Sequence, residues 1–289
     1  MNPSSTMPAM STAPAPAITP TRVAAVQMVS GPDVAANLAR ASELIARAAG
    51  DGARLVALPE YFCLMGLADT DKVRVREPDG DGPIQAFLAQ TAARYGIWLV
   101  GGTVPLAAPQ PDRVFNACLV HGPDGARVAR YDKIHLFGFT RGDERFDEST
   151  TIVPGTQPVA FDTPFARVGL SICYDLRFPE LYRALGTVDL LLVPSAFTHT
   201  TGQAHWHALL AARAIENQCY VLAPAQGGRH SSGRRTFGHT LLLDPWGERL
   251  AELAEGEGVA AGTLDPARIA QVRAMLPALA HRTLQPRTL

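Results

Sequence analysis

The chain has 289 residues, of which 47% are hydrophobic and 18% charged, with a formal net charge of −1. These are proportions of an ordinary globular protein, and they supply no field to hold nucleic acid or an anionic membrane. A small neutral or anionic ligand is the partner they favour, and the length allows one large domain or two of ~150 residues.

Residues 1–20 contain no Lys, Arg, Asp or Glu and five prolines, so they read as a disordered tail rather than a secretory signal. Apolar residues never run uninterrupted for the ~18 positions a membrane helix needs. Four cysteines, Cys63, Cys118, Cys173 and Cys219, stand far apart with no C-x-x-C pair. That spacing argues against a zinc knuckle or a disulfide framework and for reduced thiols in a cytoplasm.

From residue 22 onward, β-like runs alternate with helical ones. VAAVQM (23–28) and LVALPE (55–60) read as strands on either side of a helix over 33–49. A helix near 83–95 precedes strands at 97–105, 114–120 and 126–132, the last two joined by the turn signal Gly122-Pro123-Asp124-Gly125. The second half repeats the style, with strands at 166–173, 188–196, 219–226, 239–247 and 258–265. Helices are expected from about Pro179, over 205–218, and from about Pro266. Without a linker or an internal repeat, residues 21–289 read as a single α/β domain.

Common catalytic signatures are missing: there is no G-x-S-x-G elbow, no phosphate-binding G-x-x-x-x-G-K-[ST] and no H-E-x-x-H. GEGVAA (256–261) fits a loose dinucleotide pattern but has no helix of a βαβ unit after it. His205 and His207 point to different faces of a helix, so they make a poor metal pair. His135 and His239 read as satisfied polar residues near a cleft.

Three strand ends carry chemistry. Cys173 follows the apolar run VGLSI and precedes a polar turn, with Pro179 at the start of a helix. Such a position exposes a thiol at the carboxyl end of a strand, where α/β folds place ligands; a small buried hydrophobe is the alternative. A free thiol near pKa 8.5 needs a base or a helix N-terminus to become a nucleophile at pH 7. Glu60 ends LVALPE beside aromatics, an environment that raises a carboxyl pKa toward that of a general base. Lys133 lies in the apolar and aromatic stretch YDKIHLF, where its ammonium needs an anion.

In this order, the segments LPEYF, YDKIHLF and GLSICYDLRFPE resemble the nitrilase superfamily of carbon-nitrogen hydrolases, over roughly residues 22–282. The resemblance implies a four-layer α-β-β-α sandwich that forms a homodimer or larger homo-oligomer and uses neither cofactor nor metal. It implies that Cys173 is the nucleophile, Glu60 the general base and later acid, and Lys133 the cation facing the oxyanion, with the backbone N–H of Tyr174 as a second donor. Glu148, in FDESTTIVPG, is implied to hold Lys133, with Glu144 and Asp147 as nearby alternatives.

Arg177, four residues after Cys173, has the fork to grip a substrate carboxylate, or else pairs with Asp175 or Glu180. PSAFTHTTGQAHW (194–206) and AARAIENQCYV (211–221) are similar to the Nit branch, which implies a 2-oxo dicarboxylic acid monoamide as substrate and Phe197 and Thr201 lining its acyl site. The loop from Ala225 to His230 resembles that of deaminated-glutathione amidases. It implies that Arg229 or His230 meets the carboxylate of a cysteinylglycine leaving group, unless the loop is only a glycine-stabilised surface turn. The activity so implied is metabolite repair, hydrolysis of deaminated glutathione to 2-oxoglutarate and cysteinylglycine. An omega-amidase acting on 2-oxoglutaramate or 2-oxosuccinamate is the second reading. A silent scaffold of the same fold is the third, disfavoured by the intact Glu60, Lys133 and Cys173.

Overall fold

The computed structural model describes residues 19–142 and 144–284, so residues 1–18 of the expected tail lie outside the described residues. In chain order the first half runs β1 (Thr21–Gln27), α1 (Val34–Gly50), β2 (Leu55–Ala57), α2 (Asp71–Arg74), α3 (Pro83–Tyr95), β3 (Trp98–Val100), β4 (Val104–Ala107), β5 (Val114–His121) and β6 (Arg127–Asp132). A hairpin follows, β7 (Gly138–Arg141) and β8 (Glu144–Asp147). The second half runs β9 (Ala160–Asp162), β10 (Arg167–Leu170), α4 (Pro179–Ala184), β11 (Leu190–Leu192), α5 (His199–Asn217), β12 (Tyr220–Ala223), β13 (Thr240–Leu243), β14 (Arg249–Leu253), β15 (Gly258–Leu264) and α6 (Pro266–Met275).

Successive residues of β1 enter two different apolar cores. Val23 and Ala25 pack into one, Ala24 and Val26 into the other. Side chains alternate across a strand, so an unbroken apolar run marks a strand buried on both faces. The first sheet has the order β15-β1-β2-β3-β5-β4, with β6 also paired to β5; the second has the order β14-β13-β12-β11-β10-β9. At the heart of each is a parallel trio, β1-β2-β3 and β10-β11-β12.

One core lies under α1 and α3, where Leu44, Ile45, Leu88 and Ala92 cover Val56 and Leu99. The other joins the inner faces of both sheets and extends to Trp206 and Leu210 of α5. The layers are therefore helices, sheet, sheet, helices, the single-domain four-layer sandwich expected. Helix α1 shows why these segments fold locally: Asp33 accepts from the Ala36 N–H at 3.1 Å to cap it, and Ala41, Leu44, Ile45 and Ala48 form one buried stripe. Burying a Leu or Ile side chain there contributes about 1.5–3 kcal/mol each, so Ile45→Asp would break the layer.

The expected strand over 97–105 is two strands, split at Gly101-Gly102. Gly102 has φ 53°, and a Cβ there would sit 2.1 Å from the Pro59 carbonyl oxygen. Only glycine lets this chain pass behind the Pro59-Glu60 turn. Helix α5 begins at His199 rather than 205, because the Thr198 hydroxyl accepts from the Thr201 N–H at 3.2 Å and caps a polar first turn that has no apolar period. GFTR and ERFD carry no apolar alternation, yet they pair as β7 and β8.

Candidate active site

Glu60 follows the end of β2, Lys133 follows β6, and Cys173 opens a 3-10 turn, Cys173–Arg177, after β10. The first two come from one sheet and the third from the other, and all three meet where the carboxyl ends of the central strands converge. The Lys133 ammonium, with its side chain 0% exposed, donates to Glu60 Oε1 at 2.8 Å and to Glu148 Oε1 and Oε2 at 2.9 and 2.7 Å. Asn116 Nδ2 donates to Glu60 Oε1 at 3.0 Å and the Ala196 N–H to Glu60 Oε2 at 3.0 Å. The Cys173 thiol lines the same slot as this carboxylate.

Backbone strain aims two of these residues. Cys173 has φ 49° and Tyr61, next to Glu60, has φ 57°. The left-handed conformation costs an L-residue about 1–2 kcal/mol, so surrounding bonds must hold it. The Cys173 N–H donates to the Pro194 carbonyl at 2.9 Å. Buried Asp175 clamps the turn from the other side: it accepts from the Ile172 N–H at 2.9 Å, Tyr131 Oη at 2.7 Å and the His135 N–H at 3.0 Å. Its carboxylate thus ties the cysteine turn to the lysine segment. Tyr61 is held by its N–H on Thr103 Oγ1 at 2.8 Å and its hydroxyl on Glu148 Oε1 at 2.9 Å.

Burial pushes the Cys173 thiol well above its ordinary pKa, and Glu60 adds to the rise while Lys133 opposes it. The thiol therefore stays protonated until something removes its proton. Burial also raises Glu60, against the pull of Lys133. Burial acts the same way on Glu148, but there Lys133 and three hydrogen bonds prevail and hold it below the usual carboxylate range. Lys133 is pushed down by burial and up more strongly by Glu148 and then Glu60, so it remains a cation. Two carboxylates thus have different protonation behaviour within one cluster, the arrangement acid–base catalysis needs.

The reaction slot above the thiol is lined by Glu60, Glu148, Tyr174, Arg177, Phe197 and Thr201, among others. Its free space is about 10 Å³, room for about one water. Arg177 closes it, with its guanidinium 5.7 Å from the Tyr174 ring centre and 5.5 Å from that of Phe197. Its polar contact is His205 Nδ1 at 3.2 Å, not Asp175 or Glu180. Among the three acids near residue 148, Glu148 reaches Lys133; Glu144 bonds Thr200 and Asp147 bonds Ser149.

A family profile described as carbon-nitrogen hydrolase matches residues 22–274. The chain belongs to this family. A deaminated glutathione amidase of Synechocystis sp. is 43% identical to this carbon-nitrogen hydrolase over 269 residues, covering 91% of this chain and 98% of the relative. An omega-amidase of Xenopus laevis is 37% identical over 260 residues, covering 89% and 92%. In structure, the NitFhit protein of C. elegans superposes with a TM-score of 0.85 at 37% identity, over 92% of this chain and 66% of that longer one.

Two residues singled out in this carbon-nitrogen hydrolase's sequence stand elsewhere. Arg229 is exposed and lines neither the slot nor its neighbouring cavity. His230 is buried, its Nδ1 2.9 Å from the Ser30 carbonyl and its Nε2 2.7 Å from Thr236 Oγ1. The reason is a tight reversal: Arg229 bridges Arg235, and the His230 N–H donates to the Arg234 carbonyl at 2.8 Å. That reversal turns His230 inward and brings Arg234 to the slot instead. Arg234 donates to the Ala196 carbonyl at 2.9 Å, while its buried Nε has no partner among the described residues. Sequence reasoning missed Arg234, Asn116 and Asp175. For Asp175 a signal was present, since it lies inside the cysteine motif; the other two have none.

Among the described residues, one group has the donor set for a metal: His207, His239 and Glu252. Glu252 Oε1 already lies 2.7 Å from His207 Nε2 and 2.6 Å from His239 Nδ1, and Oε2 lies 2.6 Å from Arg249. The group is satisfied as a hydrogen-bonded cluster, and none of its members lines the slot. His205, as the i, i+2 spacing required, faces elsewhere, toward Arg177.

Proposed function

We propose that the protein hydrolyses the amide bond of a 2-oxo dicarboxylic acid monoamide through a thioester on Cys173, with deaminated glutathione as its substrate and 2-oxoglutarate and cysteinylglycine as its products. The observation that carries the chemistry is the buried cluster of Glu60, Lys133 and Glu148, in the one slot that Cys173 also lines. The choice of substrate is supported by the 43% identity to the Synechocystis deaminated glutathione amidase.

Glu60 takes the thiol proton as sulfur attacks the amide carbonyl, and a tetrahedral oxyanion forms. Protonation of Glu60 removes one of the two anions that hold Lys133, so the ammonium turns its freed charge toward the oxyanion. Charge inside the slot is conserved: a carboxylate disappears as an oxyanion appears beside the same cation. Tyr174, in the first turn of the 3-10 segment, supplies a backbone N–H as second donor, and one such donor contributes about 3 kcal/mol to the rate. Glu60 then passes its proton to the departing amine and breaks the C–N bond. A water enters, Glu60 removes its proton, and attack on the thioester releases the acid and restores the thiol.

The raised pKa of Glu60 suits both halves of this cycle, because a stronger base takes the thiol proton more readily. Glu148 never reacts; it keeps Lys133 charged and aimed. Arg177, packed over two rings with only a histidine as polar partner, is free to exchange that contact for the acyl carboxylate. Arg234 lines the same slot with an unpartnered nitrogen. Turnover of deaminated glutathione and of 2-oxoglutaramate, each followed as 2-oxoglutarate release, tests the assignment. The expected kcat/KM favours deaminated glutathione at least tenfold. Preference for 2-oxoglutaramate would make the protein an omega-amidase, the activity named for the Xenopus laevis relative.

A further inference from the structure

Beside the reaction slot lies a second, larger cavity of about 280 Å³ that shares Phe137, Glu148 and Arg234 with it. This is close to the lower limit for small-molecule sites of ~300 Å³. Arg177 lines the slot and not the larger cavity. An acyl chain reaching toward Arg177 leaves the other end of its amide directed through the shared wall.

Lys72, in the short helix α2, lines the larger cavity with its side chain 13% exposed. Its ammonium donates to Thr151 Oγ1 at 3.1 Å and stands 5.8 Å from the centre of the Tyr61 ring. The carboxylate paired with it is Asp69 at 3.9 Å, whose side chain is 73% exposed. Other acids on the cavity wall are engaged: Glu148 by Lys133, Tyr61 and the Phe137 N–H, and Asp147 by Ser149. Burial lowers the Lys72 pKa; Asp69 and Glu148 oppose this in part, and Arg234 and Lys133 act with burial. A desolvated ammonium without a close anion is costly unless a ligand supplies one. Arg145 at the exposed side of the cavity adds a second positive charge.

We infer that this cavity receives the departing amine and that Lys72 binds a carboxylate at its far end. The ligand class is an amino acid or dipeptide with a free C-terminus, attached through nitrogen to the acyl group. The inference rests on the amidase reading and gives Lys72 the part that the sequence pattern gave to Arg229 or His230. Lys72 acts on the leaving side only, by one charged hydrogen bond.

The test compares deaminated glutathione with its glycinamide form, whose terminal carboxylate is capped. In the wild-type protein the free acid is preferred by about 10- to 100-fold in kcat/KM, the worth of one hydrogen bond to a charged group. Lys72→Met collapses this ratio to about one, and Lys72→Arg restores part of it. Because the ratio is internal to each protein, partial loss of folded enzyme does not affect it. A wild-type ratio near one, or an unchanged ratio in Lys72→Met, overturns the inference while leaving the amidase reading standing. Should the wild-type release no 2-oxoglutarate from either compound, the amidase reading fails instead. Calorimetric titration of cysteinylglycine and cysteinylglycinamide into the protein then decides Lys72 by itself: tighter binding of the free acid that Lys72→Met abolishes supports it, and equal binding overturns it.

Discussion

The reaction slot and the cavity beside it share a wall but handle charge in opposite ways. Inside the slot, Lys133 has two carboxylates within 2.9 Å and Glu60 accepts from three donors, so the charges of this catalytic pair are met by the protein itself. In the cavity, Lys72 has an alcohol, a ring and one exposed acid at 3.9 Å. A fully compensated cluster keeps its geometry without substrate, as a preorganised catalytic group must. An undercompensated ammonium gains most of its stabilisation when a ligand arrives, which makes it a reader of substrate.

The sharpest way to break this contrast is to remove the sulfur. Cys173→Ala should lower kcat by about 10⁴- to 10⁶-fold, as loss of a nucleophile does elsewhere, with a thermal melt by circular dichroism close to that of wild type. Turnover within a hundredfold of wild type would place the nucleophile elsewhere.

A subtler cut is Glu148→Gln, which takes one anion from Lys133 and leaves the other. Activity should fall about 10²-fold, near the loss that follows removal of one preorganised donor, because the ammonium is no longer held from two sides. The pH profile carries the sign. Glu148 raises the Glu60 pKa through charge repulsion, so its removal favours ionised Glu60 and lowers that pKa. In wild type, kcat/KM should be lost as pH falls through a value above the ordinary ~4.3 of glutamate; in the variant that acid limb moves to lower pH. A limb that stays or moves upward contradicts the coupling.

The smallest expected effect is Arg229→Ala. This side chain is exposed and faces neither space, so kcat/KM on deaminated glutathione should remain within about twofold, the range of an ordinary surface substitution. A tenfold rise in KM would return the loop arginine to the ligand.

Much of the site was legible because its signals are local. An apolar run that ends in a single reactive residue, as in LVALPE or GLSIC, states that the residue leaves a buried strand at its carboxyl end. Two such ends and one lysine in an apolar context made Glu60, Lys133 and Cys173 candidates, each with a bland alternative; their order in LPEYF, YDKIHLF and GLSICYDLRFPE, similar to that of the nitrilase superfamily, supplied their roles. Glu148 could be named but not separated from Glu144 and Asp147, because the three are close in sequence and only the pairing of β7 with β8 decides which of them turns inward.

Arg229 and Arg234 show where that kind of reading stops. Both lie in one polar loop with no periodicity, and the choice between them is made by a cross-loop bridge and by His230 reaching Ser30, 200 residues away in sequence. The left-handed backbone at Cys173 is equally invisible in composition, since a cysteine there has no more reason for positive φ than any other residue until Pro194 and Asp175 hold it.

The alternation of strands and helices in one α/β domain, and a reactive side chain at the end of an apolar run in LVALPE and GLSIC, were legible in the sequence alone, since each follows from neighbours a few positions apart. Which charges meet, which loop arginine lines the slot and which lysine has its paired carboxylate only at 3.9 Å were decided only by tertiary structure. Those depend on distances between segments far apart in the chain, and Coulomb energy and desolvation act through space rather than along the backbone.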